Sequence, residues 1–339
     1  MRRFWWVRGV VVFGLAGALV GVVPDGVSAV AGRARCHPTA FVTHNASNTV
    51  STIDVNTRIK RPPDINVGEG PAGVAVRPDG KTAFVPNAFS DSVSTIDVNT
   101  RTKHPTDIPV GSNPFGVAVT PDGKTAFVAN LLSNTVSTID VKTRTKDPAD
   151  IPVGPGPRRV AVTPDGKTAF VTNNGGVTVS TIDVKTRTKD PTDITVGGAP
   201  AGVAITPDGK TAYVANNMSD TVSTIDVATR TKDPTDIPVG SNPFSVALTP
   251  DGKTVFVTNG HSNTVSTIDV ATRTKNPTDI PVDLLPVGVA VTPDGKTAFV
   301  ANNGSDTVST IDVATRTKDP TDIAVGSNPL VVAVTPCRR

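Results

Sequence analysis

An all-β fold, a seven-bladed β-propeller of four-stranded antiparallel blades, is what three features of this 339-residue sequence predict. A PDGK turn recurs every 43 residues, in stretches that begin at Arg77, Thr120, Thr163, Thr206, Thr249 and Thr292, and Thr335 keeps the same step. Four short runs rich in Val, Ile, Thr and Phe can be read inside each unit. The only two cysteines, Cys36 and Cys337, stand 301 residues apart, which is seven whole units. A solenoid built from the same repeat would show terminal copies with altered outer faces, and the sequence has none.

Taken in chain order, residues 1–31 differ from everything after them. Arg2, Arg3 and Arg8 precede an apolar run over 9–23, and Ala29-Val30-Ala31 offers a cleavage site, which is the pattern of a secretory signal peptide. The run is short for a membrane span, which needs about 20 apolar residues. The expectation is a secreted, periplasmic or cell-surface protein with no stable membrane span after cleavage, its residues 32–339 forming one propeller domain.

That domain enters a blade at its second strand, 39–45, and goes on to supply the third and outer strands. Each complete unit, such as 114–154, then reads as an inner strand (116–119), a second strand (124–130), a third (135–141) and an outer one (150–153). In the turn between the first two, Pro121 pre-sets φ at one corner and Gly123 takes the positive φ that closes the hairpin. The chain ends on a solitary inner strand, 331–334, which completes the blade left open at the N-terminus. Cys36 and Cys337 both occupy the Asp slot of the PDGK turn, so ring closure predicts a disulfide, with Cα atoms about 4.4–6.8 Å apart. An oxidising compartment suits such a bond.

Phe170-Val171-Thr172-Asn173, Phe256-Val257-Thr258-Asn259 and the variant Tyr213-Val214-Ala215-Asn216 each follow a PDGK turn. In these motifs the chain resembles the YVTN β-propeller repeat of bacterial surface-layer-like proteins, over essentially all of 36–339. The resemblance implies a seven-bladed propeller on the cell surface, with lactonases and lyases among related propellers. His44 departs from the pattern, standing where the other six units have Asn87, Asn130, Asn173, Asn216, Asn259 and Asn302.

Apolar residues make up 37% and charged residues 19% of the chain, enough to bury a core. Without residues 1–31 the balance is 30 basic to 29 acidic residues, which implies neither nucleic acid nor an anionic membrane as partner. No metal-ligand spacing, haem-attachment motif, nucleophile elbow or phosphate loop is present, so no metal, cofactor or catalytic residue is expected. His37, His44, His104 and His261 are scattered among units.

The two faces of the ring differ. One carries the near-identical PDGK turns and the third-to-outer connections, with rings of arginine (Arg58 to Arg316) and lysine (Lys60 to Lys318) compensated by neighbouring aspartates. The STIDV aspartates, such as Asp140, recur in every unit and read as structural hydrogen-bonding groups. The opposite face carries variable loops, to which Phe89, Phe115, Leu131, Leu132, Met218, Phe244, Leu284, Leu285 and Leu330 are assigned. Large apolar residues gathered on one exposed face mark either a binding patch or a plug of the channel mouth.

Arg158 and Arg159 are the sharpest departure, because Arg159 replaces the glycine found at Gly73, Gly116, Gly202 and Gly288. Two readings stay open: a site for a small anion, or an ion pair with Glu69 or Asp283 on the same rim. The expected function is a non-catalytic scaffold whose variable face recognises a protein or glycan partner. The alternative is a lactonase- or lyase-like enzyme with its site at the channel mouth. The mature chain has no tryptophan and one tyrosine, which favours a protein over a sugar-stacking platform.

Overall fold

The structure is a computed structural model, described over residues 38–336. Cys36, His37, Cys337 and the expected signal segment 1–31 lie outside the described residues.

All regular structure among the described residues is β, arranged in seven antiparallel sheets. Blade 1 is composite: strands Thr39–His44, Thr49–Asp54 and Ile59–Asn66 come from the N-terminal side, and Pro329–Val334 supplies the inner strand. Blades 2 to 7 follow in order over 75–109, 114–152, 157–195, 200–238, 243–281 and 286–324. The joint in blade 1 is made by Ala40 opposite Val334 and Phe41 opposite Ala333. Beyond it, the Thr335 N–H donates to the Thr39 carbonyl (2.9 Å) and the Thr39 N–H to Thr335 Oγ1 (2.8 Å). Thr120 and Thr125 make the same two bonds within the unbroken chain of blade 3, at 2.9 and 3.1 Å. The two ends thus rebuild the hydrogen bonds of a turn.

In the turns themselves Gly123 has φ +70°, and Asp122 accepts hydrogen bonds from Thr120 Oγ1 (2.6 Å) and the Lys124 N–H (3.0 Å). The outer strand expected at 150–153 forms at Ile151–Pro152, and a second short piece precedes it in what the sequence reads as the connection. In blade 3 the outer edge is two short pieces, Thr145–Lys146 and Ile151–Pro152, both paired with the third strand. Pro148 falls in the gap and has no N–H to give to a ladder. Side chains fill the gap, with Asp147 accepting from Thr138 Oγ1 and Asp150 from Ser137 Oγ (2.8 Å).

The core lies between blades. At the boundary of blades 3 and 4, Phe127, Ala129, Val136 and Ile151 pack against Val160, Ala169, Val171 and Ile182. Each boundary repeats this arrangement, including the one between blade 7 and the composite blade 1, where Phe299 and Val308 meet Ala40, Val42 and Val332. Alternation along each second strand serves both boundaries, since successive side chains point to opposite faces of the blade. Phe41, Phe84, Phe127, Phe170, Phe256 and Phe299, with Tyr213 as the seventh, are fully buried, as the FVTN pattern predicts.

Candidate functional site

The repeated face balances its own charge. A lysine and an aspartate pair across the outer edge of every blade, Lys146 with Asp150 at 2.7 Å being typical. Arg58, Arg187, Arg230 and Arg273 reach instead to the preceding blade, where they meet Asp319, Asp147, Asp190 and Asp233. Arg144 and Arg316 face blades that carry His104 and Asn276 at the matching position, and neither makes an ion pair among the described residues. The STIDV aspartates are structural, as expected. Asp140 Oδ1 accepts both the N–H (2.7 Å) and the hydroxyl (2.9 Å) of Thr143, and these bonds hold its carboxyl below the usual range.

The variable face is apolar by contrast. Six large hydrophobic side chains stand exposed among the described residues, and five of them lie here: Phe89, Leu132, Val177, Met218 and Leu284. Met218 is the extreme, at 81%. Leu131 and Leu285 are half-buried beside them. Leu285 has φ +50°, a left-handed conformation that the matching Asn113, Asn242 and Asn328 adopt with less strain.

Phe115, Phe244 and Leu330 are not loop residues, contrary to the sequence reading. The inner strands begin at Pro114, Pro243 and Pro329, so these three stand second in a strand, at the mouth of the central channel. The strands start early because the proline pairs past a bulge with the asparagine that ends the second strand, as Pro114 does with Asn130. The matching position of each blade is held by Ala72, Phe115, Arg158, Ala201, Phe244, Val287 and Leu330 in turn.

Arg158 and Arg159 belong to the inner strand Pro157–Val162, whose register shifts between Pro157 and Arg159. The bulge lets consecutive side chains address the channel together, which a regular strand would forbid. The Arg158 guanidinium lies 4.9 Å from the Phe115 ring centroid and 5.0 Å from that of Phe244, and Arg159 lies 5.4 Å from Phe115. Both arginines are half-buried. Burial pulls Arg158 down to about 10, and burial together with the charge of Arg158 pulls Arg159 down to about 9.

Neither guanidinium has a hydrogen bond or ion pair among the described residues; the expected acids are elsewhere. Glu69 is exposed on its own loop. Asp283 is bound locally by the Leu284 N–H (2.9 Å) and Thr307 Oγ1 (3.2 Å); burial raises its carboxyl, and hydrogen bonds from Leu284, Ser305 and Thr307 outweigh that and hold it low. The ion-pair reading of the mouth is therefore set aside.

One supporting feature escaped the sequence reading. The Arg159 N–H donates to Thr172 Oγ1 (3.1 Å), as Ser245 does to Thr258 (3.0 Å) and Val331 to Thr43 (3.2 Å). Where the second strand has alanine instead, at Ala129, Ala215 and Ala301, the inner strand has Gly116, Gly202 and Gly288 opposite. A Cβ on Gly116 would come within 2.4 Å of the Arg158 carbonyl, so glycine there permits close approach of the next blade. The pairing of Thr or Ala with the channel residue was visible in the repeats and marks which blades can carry a side chain into the channel. Among the described residues no group of three or more His, Cys, Asp or Glu could hold a metal ion.

Comparison with known proteins agrees with this architecture. A family model described as "Lactonase, 7-bladed beta-propeller" matches residues 37–152 and 143–288. No curated protein matches the chain. Among solved structures, the Kuenenia stuttgartiensis hydrazine synthase is similar at 26% identity and TM-score 0.74, covering 81% of this chain and 92% of that one. A functionally unknown protein from Desulfotomaculum acetoxidans is similar at 16% identity and TM-score 0.77, covering 88% and 99%. A "putative 6-phosphogluconolactonase" from Bacteroides uniformis is similar at 19% identity and TM-score 0.74, covering 88% and 99%.

Proposed function

The chain belongs to the lactonase seven-bladed β-propeller family, and on that frame we propose an exported, cell-surface or secreted binding protein whose variable face docks a protein partner. The asymmetry of the two faces carries this reading: five of the six exposed large hydrophobics lie on the variable face, while the repeated face pairs most of its charges internally. Exposed apolar clusters of this kind typify recognition surfaces. The FVTN motifs support a role like that of surface-layer-like YVTN proteins. Replacing Phe89, Leu132, Met218 and Leu284 together by serine should abolish retention of the protein on native cell-envelope fractions, with folding unchanged by circular dichroism. Equal retention of variant and wild type would refute the reading.

Family membership favours a second reading, hydrolysis of a lactone at the channel mouth. There the arginines would bind the substrate or stabilise the developing oxyanion. Its test is hydrolysis of a panel of sugar lactones by wild type and by Arg158→Ala/Arg159→Gly. Turnover confined to wild type would establish it, and identical background rates would eliminate it.

A further inference from the structure

We propose that Arg158 and Arg159 form a binding site for a small oxyanion, a carboxylate or phosphate group on a ligand narrow enough to enter the channel mouth. The site goes beyond the docking surface and rests on separate observations.

The first observation is chemical incompleteness. Elsewhere in the described residues half-buried lysines are answered by aspartate within each blade, and arginines by aspartate across blades. At the mouth two guanidiniums lie side by side with no acceptor. Phe115 and Phe244 lie against them, and the positions matching Arg158 in the remaining blades, Ala72, Ala201, Val287 and Leu330, are also apolar. Cations set in apolar surroundings are costly unless paired, and an anion entering there meets weak screening.

The second observation is orientation. Phe115 and Phe244 take positions over Arg158 at nearly equal distance, 4.9 and 5.0 Å, as partners for the cation. A guanidinium donates through N–H groups in its own plane, so contacts of this kind hold it while leaving donors for a bidentate oxyanion. Phe115 touches Arg159 as well, which ties the two cations to one side chain.

The third observation is that the repeat did not need them. Ala72 and Ala201 fill the Arg158 position in two blades, and Gly73, Gly116, Gly202 and Gly288 fill the Arg159 position in four. The double variant Arg158→Ala/Arg159→Gly therefore carries residues found together at these positions in two other blades, and circular dichroism checks that it folds as wild type does.

The experiment is isothermal titration calorimetry of the full chain at low salt, with inorganic phosphate in one arm and citrate in the other. Wild type should bind at least one of these saturably with one site per chain, and the preferred probe tells phosphate from carboxylate. Arg159→Gly should weaken binding at least about tenfold, as loss of a charge-assisted contact does. The double variant should show no binding, and Arg144→Gln on the repeated face should match wild type. Absence of saturable binding to wild type, or equal binding by the double variant, would overturn the proposal. Loss of cell-envelope retention by the serine variant with anion binding intact separates this site from the docking surface.

Discussion

His44 adds to blade 1 a pH dependence near neutrality that the other six blades, with asparagine at this position, do not have from it. Its Nε2 meets Ser51 Oγ at 2.8 Å, in the place where Asn130 Nδ2 donates to Ser137 Oγ at 2.9 Å, and Ser51 passes the network on to Asp64 and Lys60. Gly326 packs on the ring as Gly111 does on Asn130. Burial dominates and lowers the His44 pKa to about 4 from 6.5, against the opposing pull of Asp64 and Asp306 and with some help from Lys60. Between those values the unfolded chain binds a proton that the folded chain refuses. Stability is thus fully present above pH 6.5 and falls as the pH drops toward 4. The two pKa values give a loss of about 2 kcal/mol at pH 5 relative to pH 8, and about 3 kcal/mol below pH 4. His44→Asn restores the residue of the other blades and removes this term. Urea unfolding of both proteins at pH 8 and pH 5 measures it: wild type should lose about 2 kcal/mol more than the variant over that interval. Parallel losses in the two proteins would refute the reasoning, because the pH dependence would then arise elsewhere.

Other consequences follow from single positions. Phe127→Ala opens a cavity at the boundary of blades 3 and 4 and should cost about 3–5 kcal/mol in chemical denaturation. Leu285→Asn relieves a left-handed backbone at φ +50° and should raise stability by about 1 kcal/mol, read as a higher denaturation midpoint at unchanged slope. Arg187→Gln removes an exposed inter-blade pair with Asp147 and should change stability by less than about 1 kcal/mol. A Cys36–Cys337 disulfide is proposed for the exported protein: non-reducing mass analysis should find two hydrogens fewer than in reduced protein, and reduction should lower stability by up to about 5 kcal/mol. Two titratable thiols in the exported protein would contradict it.

The repeat made the fold legible because its period, its strand content and its turn chemistry all specify the same blade. The buried Phe column, the positive φ of Gly123 and the closure of the ring by Thr39 and Thr335 follow from that consistency. The outer strand at 150–153 was legible, but the Thr145–Lys146 piece was read as connection because Pro148 separates it from Ile151–Pro152, the two pieces being held to the third strand partly by the Asp147 and Asp150 side chains. At the candidate site the anomaly of Arg158 and Arg159 was visible as a break in the repeat. Their partners were not, because Phe115 and Phe244 come from blades 43 and 86 residues away, and only closure of the ring brings them over one guanidinium. The bulge after Pro157 recurs in other blades, and at Arg159 the backbone N–H is additionally held by Thr172 of the next strand.

The proposed division of labour between the two faces is tested most directly by site-specific photo-crosslinking in the native cell envelope. One probe replaces Met218, exposed on the variable face, and a control probe replaces Lys124, whose side chain is 79% exposed on the repeated face. A discrete protein adduct from position 218 and none from position 124 is the predicted result. Adducts of equal yield from both positions, or from position 124 alone, would contradict it.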